Sequence, residues 1–141
     1  MGQYMEILLV DDDLSDIHLV EEAFKSVTVA YHINVATDGI EALAFLRKEG
    51  KYKNSPEPHL VLLDLNMPRK NGYEVLKEVK EDINLKHIPI IILSTSSREV
   101  MEAYTSHANS YLKKPINYDV LVDMIKSIEH FWLKNAELPV P

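Results

Sequence analysis

The chain has 141 residues and a formal net charge of −7, and it contains no cysteine. The length fits a single domain of ~100–150 residues, and the missing thiols exclude disulfides, thiolate metal sites and cysteine nucleophiles. The excess of 22 acidic over 15 basic residues argues against nucleic-acid binding as the main activity. Because the sequence has neither an apolar run of ~18 residues nor the pattern of a signal peptide, we expect no membrane insertion and a cytoplasmic protein.

Five short segments, most of them apolar, predict strands, and the most apolar ones are typical of strands buried on both faces. They cover residues 5–10, 33–36, 60–63, 90–93 and 110–113. Apolar residues at helical spacing follow each run, at residues 14–27, 40–46, 73–83, 100–104 and 120–132. We predict Ser15 as the N-cap of the first helix, and a turn and cap at residues 37–39 before the second. Strands that alternate with helices predict an α/β fold, a doubly wound parallel sheet of five strands with helices on both faces.

Polar side chains end four of the five predicted strands. The first strand runs into Asp11-Asp12-Asp13, the third into Asp64, the fourth into Ser94-Thr95-Ser96 and the fifth into Lys113-Lys114. Ligands of open parallel sheets bind outside the carboxyl ends of the strands, so we expect these groups to share one crevice.

The types of these residues indicate phosphoryl chemistry. Grouped carboxylates repel one another unless a cation is present, and hard oxygen ligands suit Mg²⁺. A lysine and a hydroxyl beside them suit the oxygens of a phosphoryl group, and a carboxylate such as Asp64 can act as the nucleophile that forms an acyl phosphate. One aspartate after a strand, taken alone, is more simply a helix cap or a turn residue, but four coordinated strand ends are hard to explain in that way.

Four segments resemble the receiver domain of two-component response regulators. They are ILLVDDD (7–13), LVLLDLNMP (60–68) with Asn71-Gly72, IIILST (90–95) and YLKKP (111–115), and they lie in the family's order and spacing. The resemblance covers residues 6–134 and implies the flavodoxin-like (βα)5 receiver fold. Residues 131–133 together with Leu138-Pro139 further resemble the small single-domain regulators that accompany phytochrome-type histidine kinases.

The resemblance implies a catalytic set and a switch. Asp64 matches the phosphoacceptor, and Ser94 and Lys114 match the residues that bond phosphoryl oxygens; Pro115 favours Lys114 over Lys113 for this role. Ser94 and Tyr111 match the switch pair, in which the aromatic ring turns inward when the hydroxyl moves toward the phosphate. Thr95 departs from the alanine that many receivers have there, and its bulkier side chain predicts narrower access to Asp64 and rates that differ from those usual in the family.

The resemblance also implies an Mg²⁺ site at the ends of the first and third strands. Asp12 matches the direct carboxylate ligand, Asp11 its neighbour that acts largely through water, and Asn66 a ligand through its backbone carbonyl, with Asp64 completing the set. We interpret Asp13 as a helix-start residue rather than as a further ligand.

The function implied is that of a stand-alone response regulator in a two-component phosphorelay. A sensor histidine kinase, of phytochrome type by the second resemblance, would phosphorylate Asp64, and output would pass through protein contacts without direct DNA binding. We would not class it as a metabolic enzyme. We expect a receiver domain over residues 1–134, a tail over residues 135–141 with no room for an effector, and a homodimer through the last helix and the tail, although core packing also explains at least one of Phe131 and Trp132.

Two alternatives stand beside this interpretation. A small Mg²⁺-dependent phosphohydrolase could use an aspartate nucleophile on the first strand, since Asp11-x-Asp13 superficially allows it. A flavodoxin-like cofactor binder needs a phosphate-cradling loop after the first strand, where this chain has three aspartates that would repel a phosphate. The six histidines lack paired ligand spacing and do not support a phosphorelay histidine. The sequence names neither the cognate kinase, its signal, nor the downstream target.

Overall fold

The apolar runs of the sequence form a parallel β-sheet at the centre of the molecule. The computed structural model describes residues 4–67 and 69–139, so Pro68 of the 60–68 segment, the first three residues, and Val140 and Pro141 of the predicted tail lie outside the described residues. Within the described part, the strands are β1 (Met5–Val10), β2 (Tyr31–Ala36), β3 (Leu60–Leu63), β4 (Ile90–Ser94) and β5 (Ser110–Lys113). Their spatial order is β2-β1-β3-β4-β5, and all neighbouring strands are parallel.

Helices cover both faces of the sheet. One face packs against α1 (Leu14–Phe24) and α5 (Tyr118–Ile128), and the other against α2 (Gly39–Arg47), α3 (Gly72–Glu81) and α4 (Val100–Thr105). Helix α5 continues as a π-helical segment, Glu129–Asn135, and a 3₁₀ turn, Gly50–Tyr52, lies between α2 and β3. This arrangement confirms the predicted doubly wound (βα)5 fold. None of the helices in the described ranges has both the length and the apolar character required to cross a lipid bilayer.

The beginning of α1 corrects one prediction. Its N-cap is Asp13, not Ser15, because the Asp13 carboxylate accepts hydrogen bonds from the backbone N–H groups of Ser15, at 2.9 Å, and Asp16, at 3.3 Å. Aspartate is as good a cap as serine, and a cap two residues earlier satisfies the free N–H groups of the first turn. Asp13 is therefore a helix-start residue, as its position in the sequence indicated.

The ends of the other elements follow local capping. Asp38, which lies in the predicted turn, caps α2 by accepting from the Glu41 N–H, and Asn71 and Glu74 form a reciprocal capping box at α3. Strand β2 begins two residues before the predicted start, and α1 ends at Phe24, before the predicted end. The predicted boundary between domain and tail stays a prediction; the π-helical segment ends at Asn135.

The sheet places the strand ends in one crevice. Strand β1 lies between β2 and β3, so the chain order reverses beside it. The ladder continues one residue past the strands: the Asp11 N–H donates to the Ala36 carbonyl at 3.1 Å, and the Asp64 N–H donates to the Val10 carbonyl at 2.9 Å. At the other edge, the Lys114 N–H donates to the Ser94 carbonyl at 2.7 Å. Backbone hydrogen bonds thus hold the residues after β1, β3 and β5 at the place where open α/β sheets bind ligands.

Candidate functional site

Three carboxylates meet where β1 and β3 end. One carboxylate oxygen each from Asp11, Asp12 and Asp64 lies within 4.8 Å of the others. Asp11 is buried, Asp12 is exposed, and the Asp64 side chain is 12% exposed, so the cluster opens to solvent on the side of Asp12. Three hard oxygen donors at this separation fit a divalent cation such as Mg²⁺ or Mn²⁺. The structure therefore brings together the three carboxylates that the sequence nominated as ligands.

Lys114 reaches this cluster from the end of β5. Its Nζ lies 2.8 Å from Asp11 Oδ2, 3.0 Å from Asp16 Oδ2 and 3.6 Å from Asp64 Oδ2, and the side chain is 11% exposed. Burial lowers the pKa of Lys114, but the hydrogen bonds that it donates to Asp11 and Asp16 and the charges of Asp11 and Asp64 outweigh this effect and raise the pKa overall. The ammonium group is therefore charged at any physiological pH.

Asp64 occupies an electrostatically costly position. Burial raises the pKa of its carboxyl group to about 6 from an ordinary value of 3.8; the Lys114 charge opposes this rise, and the Asp11 charge adds to it. One oxygen of Asp64 accepts a hydrogen bond from the Asn66 N–H at 3.2 Å. A half-buried carboxylate whose charge is only partly neutralised marks a candidate site for cation binding or catalysis.

The loop after β3 approaches Asp64 closely. The Gly72 N–H donates to the Leu65 carbonyl at 2.9 Å, and a Cβ on Gly72 would lie 1.9 Å from the backbone oxygen of Asp64. Only glycine fits there, which explains why Asn71-Gly72 accompanies the aspartate in the sequence. Asn66, nominated for its carbonyl, is exposed in the same loop.

Ser94 and Tyr111, the nominated switch residues, meet at the loop after β4. Ser94 is buried, and its Oγ accepts a hydrogen bond from the Ser96 N–H at 3.2 Å. The half-buried Tyr111 donates its hydroxyl to the Ser96 carbonyl at 2.8 Å. Both side chains are therefore hydrogen-bonded to the backbone of Ser96, so a movement of one can shift the other. Thr95 is exposed.

Sequence reasoning missed one residue of the site, Asp16. Its carboxylate shares the Lys114 ammonium group with Asp11, although 98 positions separate Asp16 from Lys114. A cap at Ser15 makes Asp16 the first residue of the helix, whereas the actual cap, Asp13, places it three residues into α1. The available signal was the spacing of two acids by three residues, which is typical of a helix start.

The fold and these residues define a class of protein. A family model, the response regulator receiver domain, matches residues 7–126, and the chain belongs to this family. It is thus a response regulator of two-component signalling, a family in which an aspartate is phosphorylated.

Two relatives resemble it over nearly their full length. Response regulator Rcp1 of Synechocystis sp. is 46% identical over 135 residues, which cover 94% of this chain and 92% of Rcp1. The structure of a phosphorylated cyanobacterial phytochrome response regulator, RcpA, matches with a TM-score of 0.93 at 45% identity and covers 97% of this chain and 99% of RcpA. A Mn²⁺-bound structure of Rcp1 matches with a TM-score of 0.90 at 45% identity, covering 96% of this chain and 99% of that one.

The site disfavours a nucleophile on the first strand. Asp11 is 1% exposed, with one oxygen accepting from the Asp13 N–H at 3.0 Å and the other from Lys114. A carboxylate that is hydrogen-bonded at both oxygens and closed to solvent is poorly placed to attack a phosphoryl donor. Together with the match to the receiver-domain family, this finding disfavours the alternative of a phosphohydrolase with a nucleophile on the first strand.

Proposed function

We propose that Asp64 accepts a phosphoryl group from the phosphohistidine of a sensor histidine kinase. The observation that carries this proposal is the position of its carboxylate, which shares a cation-sized cluster with Asp11 and Asp12 and lies 3.6 Å from the Lys114 ammonium group. Of these three carboxylates, Asp11 is closed to solvent and paired with lysine, and Asp12 is exposed. Asp64 is the half-buried acid of the cluster, and it lies beside the lysine without being hydrogen-bonded to it.

We propose Mg²⁺ as the resident cation. Asp12, Asp64 and the backbone carbonyl of Asn66 would hold it, with Asp11 acting largely through water, and all of these are oxygen donors of the kind that Mg²⁺ prefers. A bound Mg²⁺ supplies positive charge that offsets the charge of the phosphoryl oxygens. The relative Rcp1 has been solved in a Mn²⁺-bound form, which supports a divalent cation as a ligand of this kind of protein.

The transfer is an in-line displacement at phosphorus. An oxygen of Asp64 forms a bond to phosphorus while the phosphorus–nitrogen bond of the donor breaks, and the electron pair returns to the imidazole nitrogen. Lys114 and Ser94 donate hydrogen bonds to phosphoryl oxygens. Water later attacks the same phosphorus, which restores the Asp64 carboxylate and releases inorganic phosphate. Each molecule is phosphorylated and later returned to its unphosphorylated form, so its role is signalling rather than metabolic turnover.

Phosphorylation would be transmitted through the loop after β4. Ser94 Oγ now accepts a hydrogen bond from Ser96, and a Ser94 hydroxyl that turns toward the phosphoryl group leaves that bond. The Ser96 carbonyl, which holds the Tyr111 hydroxyl, then becomes free to move. Two exclusive hydrogen-bonding arrangements of this loop make a two-state element that protein partners can read.

The partners are inferred from the relatives and from the exposed apolar surface. RcpA is a phytochrome response regulator, which supports a phytochrome-type kinase as the donor and, with it, a cytoplasmic location. Phe131 is 55% exposed beside a groove of about 340 Å³ that Leu112, Met124 and Trp132 line. We propose that a second copy of the chain occupies this groove. We also propose that residues 1–134 form the receiver domain and that residues 135–141 form its tail.

Mass spectrometry tests the phosphoacceptor. Wild type incubated with acetyl phosphate and Mg²⁺ is expected to gain one phosphoryl adduct, which is absent with EDTA and absent in Asp64→Asn. Asp13→Asn is the matched control, because it removes the same charge nearby and keeps a good helix cap; it should be phosphorylated like wild type. An adduct that persists in Asp64→Asn would overturn the proposal. Transfer from an autophosphorylated phytochrome-type kinase, compared with a kinase of another sensor class, tests the partner.

A further inference from the structure

Lys114 is held by two acids besides the one on which phosphorylation is proposed. Its ammonium group has three N–H groups, and two of them donate to Asp11 and Asp16 at 2.8 and 3.0 Å. The 3.6 Å separation from Asp64 is too long for a direct hydrogen bond. The ammonium group therefore keeps one N–H beside Asp64 that is not committed to another carboxylate.

The contact between Asp16 and Lys114 is partly shielded from water. The two residues line a small cavity of about 40 Å³ together with the buried apolar side chains of Val20, Leu93 and Leu121. The Lys114 side chain is 11% exposed and that of Asp16 is 37% exposed, so water reaches the contact from the Asp16 side. The apolar walls on the other side strengthen the charged hydrogen bond relative to a fully exposed ion pair. Asp16 also lies in the first turn of α1, which Asp13 fixes by capping. Its carboxylate therefore has a defined position from which to hold the lysine.

We propose that Asp16 is a positioning residue for phosphorylation, which acts by holding the Lys114 ammonium group so that one N–H remains for a phosphoryl oxygen on Asp64. Without Asp16, Lys114 keeps only Asp11 as a hydrogen-bond partner and is free to close the gap to Asp64. It would then pair with the nucleophile before the donor arrives and would be less well placed for the transferring group. This inference rests on the proposed function of Asp64.

A double-mutant cycle tests the proposal. The measured quantity is the phosphorylation rate with acetyl phosphate at saturating Mg²⁺, followed by mass spectrometry, for Asp16→Asn, Lys114→Met and the double variant. Asn at position 16 preserves size and removes the charge, which leaves only a neutral amide oxygen as a weaker acceptor for Lys114. Because residues in direct contact are energetically coupled, Asp16→Asn is expected to slow the maximal rate at least about threefold when Lys114 is present. In the Lys114→Met background the same substitution should change the rate less than twofold.

Matched controls separate positioning from general effects. Asp13→Asn removes the same charge from the same helix start and is expected to leave the rate within twofold of wild type, and thermal unfolding of each variant checks folding. An Asp16→Asn rate that equals or exceeds that of wild type would overturn the inference, and so would a loss of equal size in both backgrounds. If Lys114→Met alone has no effect, the lysine role in the proposed function fails instead, so the two failures are distinguishable.

Discussion

Glu129 and Thr28, 101 positions apart in the chain, are joined by two hydrogen bonds to one carboxylate oxygen. Glu129 Oε2 accepts from the Thr28 N–H at 2.6 Å and from its hydroxyl at 2.9 Å, and also from the Val29 N–H at 3.0 Å. Glu129 is 5% exposed and begins the π-helical segment after α5. This one side chain therefore fastens the end of α5 to the connection between α1 and β2.

Glu129→Ala is expected to destabilise the protein strongly. The substitution leaves two backbone N–H groups without their acceptor and should cost about 2–4 kcal/mol in the free energy of unfolding, measured by urea titration. Glu137→Ala is the control, because Glu137 is exposed two residues beyond the π-helical segment and should change stability by less than about 0.5 kcal/mol. Equal effects of the two substitutions would contradict the assigned role of Glu129.

The contribution of Glu129 to the free energy of unfolding should also depend on pH. Burial raises the pKa of Glu129, but hydrogen bonds from Val29 and Thr28 outweigh it and lower the pKa overall. A lowered pKa in the folded state means that the carboxylate contributes its stability at neutral pH and loses it as the pH falls through that pKa. The stability difference between wild type and Glu129→Gln should therefore shrink below about pH 4. A difference that stays constant from pH 7 to pH 3 would sink this prediction.

Asp64→Asn is expected to stabilise the protein in the absence of divalent cations. The pKa of Asp64 is raised to about 6 in the folded protein from 3.8, so ionised Asp64 opposes folding. The protonated carboxyl group therefore contributes stability below the unfolded-state pKa, and this contribution to the free energy of unfolding is lost as the pH rises toward 6. In EDTA at pH 7.5, Asp64→Asn should raise the melting temperature by roughly 3 °C or more, with a smaller gain at pH 4.

The matched control for this stability measurement is Asp13→Asn, which removes an exposed charge while keeping a helix cap. It should leave the melting temperature nearly unchanged at both pH values. A melting temperature of Asp64→Asn at or below that of wild type at pH 7.5 would show that the buried carboxylate is better compensated than its surroundings indicate.

Gly72→Ala should damage both stability and the site. Its Cβ would lie 1.9 Å from the Asp64 carbonyl oxygen and 2.7 Å from the Leu65 Cα, and backbone atoms cannot move away as a flexible side chain can. We expect a loss of about 2 kcal/mol or more and slower phosphorylation of Asp64. Gly50→Ala is the comparison, since Gly50 has a φ of +58° but open space around it, and it should cost only about 1 kcal/mol without changing phosphorylation.

Phe131→Glu tests the proposed contact between two copies. Placing a charge at the exposed ring should weaken self-association of the protein, treated with acetyl phosphate and Mg²⁺, at least about tenfold by sedimentation velocity. Ile83→Glu is the control, because Ile83 is 78% exposed beyond the end of α3 and should leave association unchanged. A monomer at all concentrations in wild type, or equal association in both variants, would exclude the proposed interface.

Most of the fold was predictable because its determinants are local. The predicted bounds of β1, β3 and β5 coincide with the structure. Strands β1 and β3 are apolar runs that are largely buried and end at an aspartate, whereas β5 is partly exposed and ends before Pro115. The N-cap of α1 was wrong because Asp13 and Ser15 are both good caps, and only the path of the chain after β1 decides between them. Pairing between strands that are distant in sequence then set the order of the sheet.

By itself, the sequence determined that acids, hydroxyls and lysines follow four strands at the carboxyl ends of a parallel sheet, and its motifs resemble those of receiver domains. Only the tertiary structure decided how these groups share charge. The pairing of Lys114 with Asp16 and that of Glu129 with Thr28 join residues about a hundred positions apart. Local periodicity carries no information about such contacts, because the packing of α1 against α5 and the sheet alone brings them within hydrogen-bond distance.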